Sequence, residues 1–226
     1  MLSEQEIIRR EKLNKLREYG LDPYPAALFP VNTYTSKIIS DFTDNQSVSI
    51  AGRLMSRRIQ GKASFAEIQD SQGKIQLYFN RDIICPSEDK LMYNEVYKKL
   101  LDIGDIIGIE GNLFTTKVGE KTISVKKFTV LSKSLRPLPL PKSDSEGNVF
   151  DEFTDPELRY RQRYVDLIVN PKIKETFLKR TKIINIIRSF FNDKEYLEVE
   201  TPILQSIPGG ASARPFITHH NALNIP

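Results

Sequence analysis

Four side chains ahead of residue 121 have the chemistry to read an unpaired nucleic-acid base: Arg57, Phe65, Gln76 and Glu120. An aromatic ring stacks on the face of a base, Gln and Glu hydrogen-bond to its edge, and Arg holds a phosphate or a base. Phe65 alone reads slightly better as a core residue, and the grouping is what favours a surface role. A second stretch, Pro208-Gly209-Gly210-Ala211-Ser212-Ala213 followed by Arg214, is a loop with almost no side chains. Gly209 and Gly210 admit positive φ and let a main chain come close to a ligand. In isolation such a pair reads as a surface turn. His219 and His220 are adjacent, so on a strand they point to opposite faces. With no carboxylate at ligand spacing, no metal site is expected there.

The elements that would position the first group are short strands. Val48 to Met55 alternates with period two and carries Gly52 as a bulge or sharp bend. Ser64–Asp70 and Lys74–Phe79 follow, separated by a Ser71-Gln72-Gly73 turn. A helix from Ser87 to about Leu101 turns Leu91, Val96 and Leu100 inward. Two further strands, about Asp105–Thr116 and Lys121–Ser132, are joined by a hairpin turn at Val118-Gly119-Glu120. Three strands, a helix and two strands is the order of an OB-fold barrel, which binds oligonucleotides on one strand face and its bordering loops. The domain is expected over residues 47–133.

Residues 1–46 form a helix and an extended lead-in. Ser3 and Glu6 make a capping box, and Gly20 supplies the left-handed position that ends the helix. The poor apolar spacing of Ile7, Ile8, Leu13 and Leu16 predicts a partly exposed, solubilising appendage. After the barrel, alternating prolines from Leu135 to Lys142 make a stiff strap, and residues 134–154 are assigned as linker. A second domain begins at residue 155, where Asp155-Pro156 caps a helix. A longer helix after Asn170-Pro171 places Ile173, Phe177, Ile184, Ile187 and Phe191 in one stripe that demands burial.

The chain has 226 residues, 39% hydrophobic and 27% charged, with one cysteine, Cys85. It has apolar mass for a real core and no run of membrane-spanning length. It shows no secretory signal, and a reducing intracellular home is expected. The net charge is only +4, but Arg53, Arg57, Arg58, Lys62 and Lys74 form one basic group and Lys126, Lys127, Lys133, Arg136 and Lys142 another. Either would attract a polyphosphate, or simply be a solvated face.

The segment RRIQGKASFAEIQDSQGKIQLYF resembles the anticodon-binding domain of class II lysyl-tRNA synthetases. Arg159 to Tyr164, RYRQRY, resembles a segment of the same family. Tyr196 to Leu204 with its preceding helix looks like motif 1 of class II synthetases, and IPGGASARPFITHHNAL like the lysine enzyme's substrate loop. The resemblance implies an OB-fold barrel followed by the beginning of an antiparallel-sheet catalytic domain. It implies ATP-dependent activation of lysine and its transfer to the 3′ end of tRNA(Lys), with Mg2+ as cofactor, in the cytoplasm. Arg57, Phe65, Gln76 and Glu120 match residues that read the lysine anticodon. Gly210 matches a substrate-binding loop residue, and Pro202 the motif 1 proline of a homodimer interface. The family's motifs 2 and 3, which carry the arginines that grip the ATP phosphates and the acid that recognises the lysine ammonium, lie outside these residues, as do the magnesium ligands. A piece of a synthetase, inactive alone, is therefore expected. A stand-alone tRNA or single-strand binding module and an aspartyl or asparaginyl relative are the alternatives.

Overall fold

The computed structural model of the chain describes residues 2–143, 149, 150, 152–202 and 216–225, and divides into two compact units, Met1–Leu158 and Arg159–Pro226. In the first unit, β1 (Ser47–Gln60), β2 (Ala63–Gln69), β3 (Lys74–Asn80), β4 (Ile106–Thr115) and β5 (Lys121–Ser132) close into a barrel of order β1-β2-β3-β5-β4. The β3–β5 pairing is parallel and the rest antiparallel. Strict alternation on β2 and β3 sends Ile68, Ile75, Leu77 and Phe79 inward to meet Ile50, Ile109 and Val125. This is the OB-fold expected from the element order.

Closure requires β1 to serve two neighbours. Arg53 is in register with Gln69 of β2 and with Ile106 of β4, so the strand bends there. A Cβ on Gly52 would lie 2.6 Å from the Gln69 carbonyl oxygen, closer than a side chain tolerates, and glycine permits the approach. The bulge itself falls later, between Leu54 and Ser56.

The helix expected over residues 87–101 is a π-helix over Met92–Leu100, preceded by the single turn α3 (Arg81–Ile84) that Asn80 caps. Tyr93 and Tyr97 are fully buried, with ring centroids 5.4 Å apart, and Tyr97 stacks on Phe79 at 4.1 Å. The winding is visible in Leu101 N–H, which donates to Val96 O five residues back.

The N-terminal helix α1 (Glu4–Glu18) has the expected capping box, and Gly20 takes φ +73° beyond its end. It is partly exposed, as its apolar spacing predicts, but it is more than a solubilising appendage. Leu13, Leu16 and Arg9 are buried. The Arg9 guanidinium donates to Ile103 O and Ser134 O, both at 3.0 Å, and Lys12 Nζ lies 2.5 Å from Asp102. The helix is amphipathic through paired charges, which an apolar pattern does not register. Asp102 also meets Lys133 at 2.5 Å, and Lys133 meets the fully buried Asp105 at 2.8 Å. Burial pushes the Asp105 carboxyl up, and Lys133 only partly offsets this. Burial also opposes ionisation of Asp102, but hydrogen bonds from Lys12 and Lys133 outweigh it and hold that carboxyl below its ordinary value.

Ahead of the barrel, α2 (Thr35–Ser40) is anchored by Asp70, which accepts from Thr35 N and Oγ1 at 2.7 Å; beyond the prolines, β6 (Lys142–Ser143) pairs with β7 (Val149–Phe150). Asp155 Oδ1 accepts from Leu158 N at 2.7 Å at the start of α4 (Pro156–Arg161), the N-cap expected there. In the second unit, α5 (Arg163–Val169) precedes the 22-residue α6 (Pro171–Asn192). Asp166 is buried and takes hydrogen bonds from Arg159, Arg163 and Asn170. Burial raises the energy of its charged form, but these donors prevail and lower its pKa. Of the expected stripe on α6, Phe177, Ile184, Ile187 and Phe191 are all exposed. In the motif 1 segment, residues 196–202 form no ladder among the described residues. Gly209 and Gly210 lie outside the described residues.

Candidate nucleic-acid interface

The outer face of β1, β2 and β3 gathers the base-reading chemistry. Phe65 on β2 stands in register with Arg58 on β1 and Tyr78 on β3, and Glu67 with Gln76. Residues directly opposite in a ladder share a face, so Arg58, Phe65 and Tyr78 line one row. The Phe65 and Tyr78 rings are 5.2 Å apart and tilted, and Tyr78 meets Phe114 of β4 edge-on at 5.8 Å. All three rings are half-buried, leaving part of each open to a ligand. Sequence reasoning singled out Phe65 but not Tyr78 or Phe114. Their outward position follows from strand alternation once the register is known.

Arg57 is placed differently from Phe65 and Gln76. Before the bulge Leu54 pairs with the inward Ile68, and after it Arg57 pairs with the inward Ala66. One inserted residue exchanges the two faces of a strand, so Arg57 turns toward the barrel end. Its guanidinium donates to Tyr97 O and lies 5.6 Å from the centre of the Tyr97 ring. Burial pushes the Tyr97 phenol above its ordinary value despite that nearby cation. Arg58 stands outward and exposed, opposite Phe65, with the exposed Lys62 close behind it in the β1–β2 turn.

Gln76 is half-buried, and its Oε1 accepts from the Thr122 hydroxyl at 2.9 Å. Glu120 sits exposed at the β4–β5 hairpin, where its N–H donates to Thr116 Oγ1 at 2.9 Å. Lys74 pairs with Glu67 at 2.9 Å, both partly exposed. The basic groups counted in the sequence thus divide. Arg53 donates to Gly104 O at 2.7 Å and Lys133 is buried against two aspartates, so neither belongs to a solvent-facing patch. Arg58, Lys62, Lys126 and Lys127 are exposed. Rings to stack on, amide and carboxylate groups for base edges, and cations for phosphate are what a single-strand surface needs.

His220 forms a bridge to Ile225, and its Nδ1 accepts from Leu223 N at 3.2 Å. Among the described residues no cluster of three or more His, Cys, Asp or Glu has the placement to hold a metal ion.

Residues 48–131 match the model of the OB-fold nucleic acid binding domain, and residues 155–225 that of the tRNA synthetases class II (D, K and N). Residues 155–225 are thus similar to the class II tRNA synthetases of this D, K and N group, with an OB-fold domain ahead of them. The chain is similar along its whole length to lysine–tRNA ligases. It is 69% identical over 225 residues to the Lysine–tRNA ligase of Christiangramia forsetii, covering 100% of this chain and 40% of that protein. It is 59% identical over 230 residues to that of Porphyromonas gingivalis, with the same coverage, and 60% over 228 residues to that of Azobacteroides pseudotrichonymphae, covering 45% of the relative. The chain thus spans less than half the length of these relatives, and aligns with their N-terminal part.

Proposed function

We propose that the chain provides the anticodon-reading domain and the motif 1 segment of a lysine–tRNA ligase, which activates lysine with ATP and transfers it to the 3′ end of tRNA(Lys). The observation that carries this reading is the identity of 69% to such a ligase across the chain, on a barrel whose outer face presents Phe65 beside Arg58 and Gln76. In this reading Phe65 stacks an anticodon base, Gln76 hydrogen-bonds to a base edge, and Glu120 contacts a neighbouring base from the hairpin. Arg58 meets phosphate or base, while Arg57 braces the face from behind through Tyr97. Gly210 contributes main-chain contacts to the amino-acid site. ATP and Mg2+ serve the activation step, with the magnesium ligands outside these residues.

The exposed apolar face of α6, with Pro202 after it, suits the two-fold interface of a homodimer, since so long an apolar stripe favours burial. No helix among the described residues is long and apolar enough to cross a membrane, and a cytoplasmic site of action fits the proposed activity. The reading is tested by titrating the chain with two fluorescent RNA stem-loops that differ only in carrying the lysine or the aspartate anticodon. Tighter binding of the lysine stem-loop is expected, and equal affinity for both would overturn the assignment.

A further inference from the structure

Thr122 of β5 stands in register with Gln76 of β3 on one side and Phe114 of β4 on the other. Both neighbours are half-exposed on the outer face, yet Thr122 itself is fully buried. Its hydroxyl lies 2.9 Å from Gln76 Oε1 and 3.1 Å from the main-chain oxygen of Glu120. It therefore bridges the two residues that the proposed function uses for base edges. A hydroxyl has a single proton to give. The Glu120 oxygen already accepts the Thr116 N–H at 3.0 Å, so the proton is better used on the Gln76 carboxamide. That hydrogen bond fixes which end of the amide faces out: the oxygen is held toward Thr122 and the NH2 group is turned to the open face.

We propose that Thr122 is a positioning residue, which orients the Gln76 carboxamide so that its NH2 group selects a base edge bearing a carbonyl oxygen over one bearing an amino group. For pyrimidines this means uracil over cytosine. The inference rests on the reading that this face takes an unpaired anticodon base, and it adds the residue that sets the polarity of the contact. Valine is nearly isosteric with threonine and lacks the hydroxyl, whereas serine keeps it.

The test uses the full chain and RNA stem-loops in which each anticodon uridine is replaced in turn by cytidine or by an abasic site. Wild type is expected to prefer uridine at one of these positions. Thr122→Val should reduce the uridine-to-cytidine affinity ratio there by roughly two- to tenfold, the worth of one ordinary hydrogen bond. Thr122→Ser should keep the ratio, and affinity for the abasic loop should be the same in all three proteins. A merely structural role would weaken every loop alike and leave the ratio standing. Without RNA, the Gln76 side-chain amide resonances should move in Thr122→Val and stay near their wild-type positions in Thr122→Ser. An unchanged ratio in Thr122→Val, or a wild-type preference for cytidine, overturns this inference alone. Failure of the wild-type chain to bind any of the stem-loops overturns it together with the functional reading beneath it.

Discussion

Lys133→Met tests how the barrel holds its N-terminal helix. The Lys133 and Asp105 side chains are completely buried, 2.8 Å apart, and Lys133 also reaches Asp102 at 2.5 Å. Methionine keeps most of the apolar stem and removes the ammonium, leaving the Asp105 carboxylate buried without its counter-charge. Breaking such a pair from one side costs about 3–5 kcal/mol. Two main-chain donors stay on Asp105, the N–H groups of Asp102 at 2.7 Å and Ser134 at 2.8 Å, and Lys12 stays on Asp102. The lower end, about 3 kcal/mol, is therefore expected, a large share of the roughly 5–15 kcal/mol of a typical domain. Urea unfolding followed by far-ultraviolet circular dichroism measures it. Adding Asp105→Asn to Lys133→Met removes the orphaned charge and should recover a substantial part of the loss. A loss below about 1 kcal/mol in the single variant, the level of an exposed pair, would refute the buried-charge account.

Phe65→Ala should weaken binding of the lysine anticodon stem-loop by about 1–3 kcal/mol, the range for one base–aromatic stack, and unchanged affinity in a folded variant would make the ring merely structural. Arg58→Gln should lower affinity and reduce the slope of log K against log salt by about one, whereas Arg57→Gln should act mainly on stability through its Tyr97 contacts. The two aspartates of the helix clamp predict opposite pH effects. The raised Asp105 pKa means that the fold gains stability as acidification protonates this group above the ordinary aspartate value of about 3.9, while the lowered Asp102 pKa means that stability is lost as pH falls below that value. Urea midpoints measured against pH should show the acid-side loss in wild type and a smaller one in Asp102→Asn; equal acid limbs would contradict the clamp. Sedimentation equilibrium at micromolar concentration should show a dimer that Ile187→Asp dissociates, and a monomeric wild type would count against α6 as an interface.

The barrel was legible in the sequence because its strands obey period two and its turns carry Gly and Ser, so element order alone led to the OB-fold. Grouping with Arg57 and Glu120 is what assigns Phe65 and Gln76 to the outer face, and the register places both there. It does not place Arg57 there, since one bulged residue between Leu54 and Ser56 exchanges the faces of β1 and brings Arg58 opposite Phe65. A bulge in a strand with no sharp local composition leaves no periodic trace. The docking of α1 was hidden differently, because the buried Arg9 and the half-buried Lys12 are held by partners some 90 or more positions away, Asp102, Ile103 and Ser134. The π-winding of Met92–Leu100 followed from neither propensity nor spacing. The apolar stripe of α6 was visible in the sequence, but its partner is a tertiary or quaternary matter that spacing cannot name.

The most direct test of the central claim, that the outer face of β1, β2 and β3 reads an anticodon, is the 1H–15N and aromatic 1H–13C spectrum of the labelled chain titrated with the lysine anticodon stem-loop. The account predicts that the largest shifts fall on the Phe65 and Tyr78 rings, the Gln76 side-chain amide, and the backbone around Arg58 and Glu120. Shifts confined to α1 or to the second unit, with Phe65 and Gln76 unmoved at saturation, would contradict it.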